Sequence, residues 1–441
     1  MPEQMAFGSD LSRRDFAKAT VATGGAVALS ACLEVFGDEP IPTGVEDPST
    51  LPKRQHAWND RMRHDDHGNE LMPNHHVLLY LGLDRDGPPT DSDRSTVEAA
   101  FTAIDRAYER SHAGLLFSVG YSSAYFDRFE ESLPSGIDLP PPRRLSNFEI
   151  PTFDTQDVLV HLASDRPDAV LGGEAVLTGD QSQVNGVEVE ASLTDALVLK
   201  DRRSGFVGKG LPAERQDVEG IPDSKPVPEE SPLFMGFKAG FKRNQATEDY
   251  VTIAKGPFAG GTTKHVSTLR QRLEDWYEEQ DFEERVMEMF SPVHAETDLV
   301  EGVGENLGDD NGLTTEIVET IREQARQHGR VGHAQKAARA NRDDEGNVRI
   351  LRRHFESTDH DVAALHFPSL QREIRTFEAV RRAMNGSDLT DNPAIQQRIH
   401  NGILEYVFVE HRGNFLVPPR GLRALPPPRP DPNYSADSID R

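Results

Sequence analysis

The stretch Gly332–Arg353, GHAQKAARANRDDEGNVRILRR, carries two side chains that can do chemistry, His333 and Arg352. An imidazole is a ligand or a proton carrier near neutral pH, and a guanidinium is a fixed positive charge for an anion. Between them lie a turn of charged and glycine residues and the apolar step Ile350-Leu351. Taken alone, the pair also admits a plain reading, a satisfied histidine and an arginine paired with an acid. The surrounding chain has to decide.

The 441 residues suffice for two to three domain-sized units, and 36% of them are hydrophobic. With 74 acidic against 48 basic residues the formal net charge is -26, and most of the basic residues are arginine. A dense carboxylate surface with few lysines suits concentrated salt, where charge repulsion is screened at very short range. We read a halophilic protein, an ordinary acidic bacterial protein being the plainer alternative. The same surface argues against nucleic acid as partner, because phosphates need clustered cations. The single cysteine, Cys32, excludes an intramolecular disulfide.

Ser12-Arg13-Arg14-Asp15-Phe16-Ala17-Lys18 precedes a short apolar run rich in Gly and Ala, and so resembles a twin-arginine export signal. Leu29-Ser30-Ala31-Cys32 looks like a lipobox, whose cysteine is lipidated after cleavage. Two acyl chains on Cys32 would anchor stably where one would not. The expectation is export by the twin-arginine translocase and lipid attachment to the outer face of the cell membrane. Because that route carries folded proteins, often with a cofactor already loaded, it favours a cofactor here.

The elements that must position the chemistry follow. His64, Asp65, Asp66, His67, His75 and His76 crowd one short stretch, but at no metal-ligand spacing, and read as surface or strand-edge residues. Strands are expected at 77–83, 115–121 and 157–162, with a helix opened by a Ser95/Glu98 capping box and another starting at 165–168. A glycine-rich passage, Phe234–Asn244, precedes a strand at 260–270 and a helix whose Trp276 reads as core. Residues 298–330 read as an acidic, helical surface insertion. A closing strand at 363–367 and an amphipathic helix along Leu370, Ile374, Phe377, Val380 and Met384 follow. Strands alternating with helices in this order fit ferredoxin-like α+β units.

Several of these segments resemble dye-decolourising peroxidases. VGYSSAYFDRF is similar to that family's second-strand segment, and DVLVHLASDRPDAV to its strand-to-helix segment. Gly236, Phe237, Lys238, Gly240 and Asn244 match the family's G-F-K-D-G-T-x-N, but Ala239 stands where the aspartate belongs. GHAQKAARAN resembles the segment that supplies the proximal histidine, which places that role on His333. Arg349-Ile350-Leu351-Arg352-Arg353-His354-Phe355 resembles R-I-L-R-R-G-Y and places the distal arginine on Arg352, with His354 where glycine is common. Asn414–Pro419 resembles the terminal F-F-V-P-P. The resemblance runs with gaps from about residue 74 to 420.

It implies an α+β fold of two ferredoxin-like halves with antiparallel sheets, like a dimeric α+β barrel, with haem b (iron protoporphyrin IX) in the C-terminal half. Its cofactor-binding residues would be His333, Gly236, Phe237, Gly240 and Arg352, with His333 the axial ligand of the iron. Residues 1–32 form the signal, 33–70 an acidic Pro/Gly-rich tether, 71–228 and 229–424 the two domains, and 425–441 a disordered tail. The expected function is a haem-dependent peroxidase taking peroxide and an unknown reductant. Its distal site is impaired, because alanine cannot take the proton an aspartate would, a role worth about a hundred- to ten-thousand-fold in rate. Glu248, Asp249 and His354 are candidate substitutes. Two other readings stay open: a non-catalytic haem-binding or iron-handling lipoprotein, and a haem-free ferredoxin-like surface scaffold.

Overall fold

Runs of β-branched and aromatic residues with a two-residue repeat build the framework, since alternate side chains of a strand face opposite sides. The computed structural model describes residues 39–430. In its first half the main elements are strands β1 (His75–Gly82), β2 (Leu116–Ser122), β3 (Thr152–Asp154), β4 (Val158–Ser164) and β5 (Val198–Phe206), with helices α1 (Asp91–Ala107) and α2 (Pro167–Thr178). The second half has β6 (Thr262–Gln271), α3 (Leu273–Glu278), α4 (Phe282–Met289), α5 (Thr315–Glu319), α6 (Ile321–His328) and α7 (His333–Ala340). Then come β7 (Leu351–Arg352), β8 (Phe355–Ser357), β9 (Ala364–Gln371), α8 (Ile374–Ala383) and β10 (Val407–Val417).

The first half orders its strands β5-β1-β4-β2, all antiparallel. The second repeats that topology, with β10 and β9 flanking β6, and β7 and β8 both paired on β9. The halves join at both edges. Leu416 of β10 pairs with Tyr121 of β2, and Glu356 of β8 pairs with Phe206 of β5. The sheet thereby closes into a barrel of two ferredoxin-like units, the expected fold class. Outside the ring, β3 runs parallel to β10.

Closure buries both faces of β1, β2 and β4 throughout and of β6 over most of its length. Val77, Leu79 and Leu81 point out to α1 and α2, where they join Val97, Phe101 and Ile104. Leu78 and Tyr80 point in and meet Leu159, Val266, Phe355 and Phe415. The interior also holds a polar chain. Lys264 donates to the Ser118 hydroxyl at 2.8 Å and lies 3.5 Å from His161, whose other nitrogen is 3.0 Å from His76. His76 in turn reaches the Pro73 carbonyl at 2.8 Å and stacks on Phe355. His76 is therefore inside the barrel, not at a strand edge or surface, and Asp65 is bound instead to Lys238. Among the described residues no three His, Cys, Asp or Glu side chains converge as a metal site, and no helix is long and apolar enough to cross a membrane.

Three local expectations are corrected. α1 is opened by Thr90 and Asp93, whose side chains and backbone N–H groups bond reciprocally, while Ser95 and Glu98 lie inside the helix. The described part of the expected tether, from residue 39, is packed on the barrel. Trp58 is 1% exposed, and Gln55 accepts from Val119 N–H while donating to the Pro418 carbonyl. Composition hid these few anchors among prolines and acids. The tail likewise begins packed: Leu425 is buried, its N–H donates to the Tyr121 hydroxyl, and the Tyr125 hydroxyl donates to Pro426. Residues 1–38, including Cys32, and 431–441 lie outside the described residues.

Burial holds His76 down at about 3, against the usual 6.5. Between those values the unfolded chain binds a proton that the folded barrel refuses, so stability is lost as pH falls through the window. His76→Gln should make that loss shallower by about 1.4 kcal/mol per pH unit in denaturant titrations. An unchanged slope contradicts the assignment.

Candidate functional site

In the first half, α1 and α2 pack directly on the sheet. In the second, α7 stands off the outer face of β6 and β9. The reason is in its sequence: His333, Ala334, Ala337, Ala338 and Asn341 share one helical face, and three of them are alanines. Opposite them stand Leu269 and Gln271 of β6 and Leu365 and Phe367 of β9. The space between holds about 1130 Å³ free of protein atoms, part of it continuous with solvent. It continues past His333 and Arg352 into a second lobe of about 980 Å³, walled by Phe377, Met384 and Phe408.

His333 is the first residue of α7, and close backbone contacts hold it there. A Cβ on Gly332 would stand 1.8 Å from the Phe290 carbonyl oxygen, and one on Gly402 would stand 2.9 Å from the His333 nitrogen. Only glycines allow that approach. Among the described residues the His333 imidazole makes no hydrogen bond. Burial, with the cations Lys336, Arg352 and Arg381 nearby, pushes it down to about 3. It is a neutral imidazole whose lone pair is available across the physiological range.

From Leu351 to Ser357 the chain is extended, so neighbours face opposite ways. Arg353 and Phe355 point inward; Arg353 pairs with Glu248 at 2.7 Å and lies over the Trp58 ring. Arg352, His354 and Glu356 point outward and all three line the cavity. Arg352 donates to the Asn244 carbonyl at 3.2 Å and to the Gln245 side chain at 3.2 Å, and has no carboxylate partner among the described residues. Burial lowers it to about 10, so it stays charged at neutral pH. His354 stacks with Phe367 and leaves Nδ1 buried without a partner. Glu356 accepts the Phe234 N–H at 2.8 Å on Oε1, while Oε2 makes no hydrogen bond of normal geometry among the described residues, with the Gln271 side chain near the carboxyl. Burial pushes its carboxyl up to about 8.

The structure thus brings His333, Arg352, Phe237 and Gly240 into one cavity, with Ala239 in its wall. Gly236 is not among them; it makes a turn at φ +84° and borders a separate cleft beside Tyr277 and Phe282. Glu248 and Asp249 are no substitutes for an aspartate at 239. Glu248 is occupied by Arg353 and by the Trp58 and Asn59 N–H groups, and Asp249 pairs with Arg54 at the surface. Trp276 is core, as expected, donating to the Met235 carbonyl at 3.1 Å. The acidic 298–330 region is no mere surface insertion: Asn311 lines the cavity, and Gln335 of α7 donates to the Ile317 carbonyl. Glu356 went unnoticed in the sequence. The signal was there in the alternation of polar residues at 352, 354 and 356.

Charge separates this cavity from the rest of a chain of net charge -26. Arg381 and Arg412 share one carboxylate, Glu149, while Arg398 donates, among the described residues, to the carbonyls of Leu404, Glu405 and Val407. With Arg352 these make an apolar chamber with surplus positive charge, suited to an anionic ligand with a large apolar body. An unpaired buried cation costs stability. Arg352→Met should therefore stabilise the ligand-free protein in denaturant unfolding, and a destabilised variant would contradict the idea that this charge is held in reserve.

Solved structures share the fold. A DypB variant in complex with manganese superposes with a TM-score of 0.51 at 17% identity, over 84% of this chain and 98% of its own. DypB from Rhodococcus jostii gives 0.51 at 18% identity, over 79% and 94%. A variant of that protein in complex with haem gives 0.50 at 18% identity, over 80% and 96%. At such identities the likeness is one of fold. No curated protein matches the chain in sequence. The model of the Family of unknown function (DUF7405) matches residues 73–419, and the chain belongs to that family.

Proposed function

We propose that the protein is a dye-decolourising-peroxidase-like haem protein, with His333 as axial ligand of the iron and Arg352 as the distal charge. One observation carries this reading: a half-buried, neutral imidazole shares a cavity with a half-buried guanidinium, and among the described residues the first makes no hydrogen bond and the second has no carboxylate partner. The site fits the group on other counts as well. Haem is a large apolar body with two carboxylates, and the cavity pairs an alanine-faced helix and an aliphatic wall with surplus arginines. A protein of the same fold is known in complex with haem. We take the form to be haem b.

Haem bound here would supply an iron centre that binds peroxide and passes oxidising equivalents to a reductant. The chain's own residues do the rest. His333 presents its lone pair without first losing a proton. Arg381 and Arg398 are placed to hold the carboxylates in the second lobe. Arg352 stabilises negative charge as it develops on the departing oxygen. The apolar wall limits water, which strengthens that interaction.

The second reading, a haem binder or iron-handling protein without turnover, is favoured by Ala239, which can move no proton. The third is the haem-free scaffold. On supplying haem, the purified protein should show a Soret band, and His333→Ala should lose it while keeping its fold. No band in the wild-type protein leaves the scaffold. A band without peroxide-dependent oxidation of a dye leaves the binder.

The twin-arginine segment and the lipobox support export and lipid anchoring, and the acidic surface supports a halophilic setting. In the native host the wild-type protein should partition into detergent and Cys32→Ser into the aqueous phase. Equal partitioning would remove the anchor.

A further inference from the structure

Ala239 removes the expected proton-transfer group, yet the cavity holds two titratable side chains, His354, one of the candidate substitutes, and Glu356, which carries no motif. His354 and Glu356 stand on one face of the extended segment 352–356, beside Arg352, and both line the chamber that His333 lines. Each presents a buried polar atom with no partner, Nδ1 on His354 and Oε2 on Glu356. Buried polar atoms are nearly always satisfied, so two orphans on one wall of one cavity point to a partner that arrives with a ligand.

We propose that His354 and Glu356 form the acid–base pair of this cavity, His354 accepting a proton from the bound substrate and Glu356 donating one. The proposal rests on the haem reading of the same site.

The two environments push the groups in opposite directions. Burial and the Arg352 charge hold His354 at about 3, so it is a neutral base at working pH. Burial holds Glu356 at about 8, where it is still a neutral acid. Two titratable groups driven apart in this way carry the protonation states that base and acid need at the start of a reaction. The groups facing them do not cancel the arrangement. Arg352 is the charged neighbour on the same segment, Gln271 of β6 and the Phe234 N–H address the Glu356 carboxyl, and Tyr277 of α3 lies close by. Among the described residues no carboxylate acts on His354 and no cation acts on Glu356.

With hydrogen peroxide as substrate the protons balance. His354 takes the proton from the oxygen nearer the iron. The O–O bond breaks with its electron pair on the far oxygen, which receives the Glu356 proton and leaves as water. Haem bound in the cavity would supply the two electrons and take up the near oxygen. The imidazolium then gives up its proton and the Glu356 carboxylate regains one, through the solvent with which the cavity is continuous, and the pair is reset.

The two roles separate experimentally in haem-loaded wild type, His354→Gln and Glu356→Gln. Ferric haem binds hydrogen cyanide with loss of one proton, which needs the base alone. Ferrous haem binds carbon monoxide with no proton change. His354→Gln should slow cyanide association by about a hundred-fold or more, and slow peroxide consumption likewise. Glu356→Gln should leave cyanide association unchanged while slowing peroxide consumption by about a hundred-fold. Carbon monoxide association should be the same in all three. Without haem, the infrared band of a protonated carboxylic acid should be present in wild type at neutral pH and lost in Glu356→Gln. Unchanged cyanide and peroxide rates in both variants overturn the pair, as does a matching fall in carbon monoxide association, which marks a packing effect. Absence of that infrared band also overturns it, even with haem bound. A wild-type protein with no Soret band overturns the haem reading instead.

Discussion

A closed barrel leaves the middle of its strands little solvent side, and the rest of the structure follows from that constraint. Each strand must satisfy an interior and an exterior at once, so the two-residue alternation decides what a residue can do. The segment 351–357 shows it most clearly. Its inward residues, Arg353 and Phe355, are tied to Glu248, Trp58 and His76 and fix the register. Its outward residues, Arg352, His354 and Glu356, are thereby presented in a row to the cavity. A slip by one residue would exchange the two sets. The chemistry of the outer face therefore depends on packing at the inner one.

The same logic explains why a cavity exists in one half only. The two units share a topology, but large residues of α1 such as Phe101 fill the space over the first sheet, whereas α7 offers alanines over the second. Around that space the fold buries Lys336 among carbonyl and amide partners and half-buries Arg352, which has no acidic partner among the described residues. Burying cations this way opposes folding, and the extensive barrel core makes it tolerable. Burial first, and then the neighbouring charges, keep His333 neutral, and Arg352 is left to meet an anion. They give the cavity a preference that an apolar chamber of the same shape would lack.

Much of this was legible in the sequence. The strands of both halves, Trp276 as core, and the presence of His333, Arg352, Phe237 and Gly240 at one site follow from local pattern and resemblance. What was not legible depends on contacts between distant parts of the chain. Trp58 and Gln55 sit in a stretch whose Pro- and Asp-rich composition reads as solvated, and only their partners on the barrel reveal them. Glu248 looked free to reach the cavity, but Arg353 holds it on the other face. Gly236 matches its motif, yet the turn it makes carries it into a neighbouring cleft. Glu356 carries no motif at all; its meaning comes from burial, which turns an ordinary glutamate into a neutral acid.

The central claim is that His333 and Arg352 face the same haem from this cavity. The most direct measurement is a crystal structure of the haem-loaded protein with anomalous scattering recorded at the iron edge. The account predicts a single iron peak at bonding distance from a ring nitrogen of His333, with Arg352 on the opposite side of the macrocycle. An iron peak bonded to another residue, or haem seated outside the space between α7 and the sheet, would contradict it.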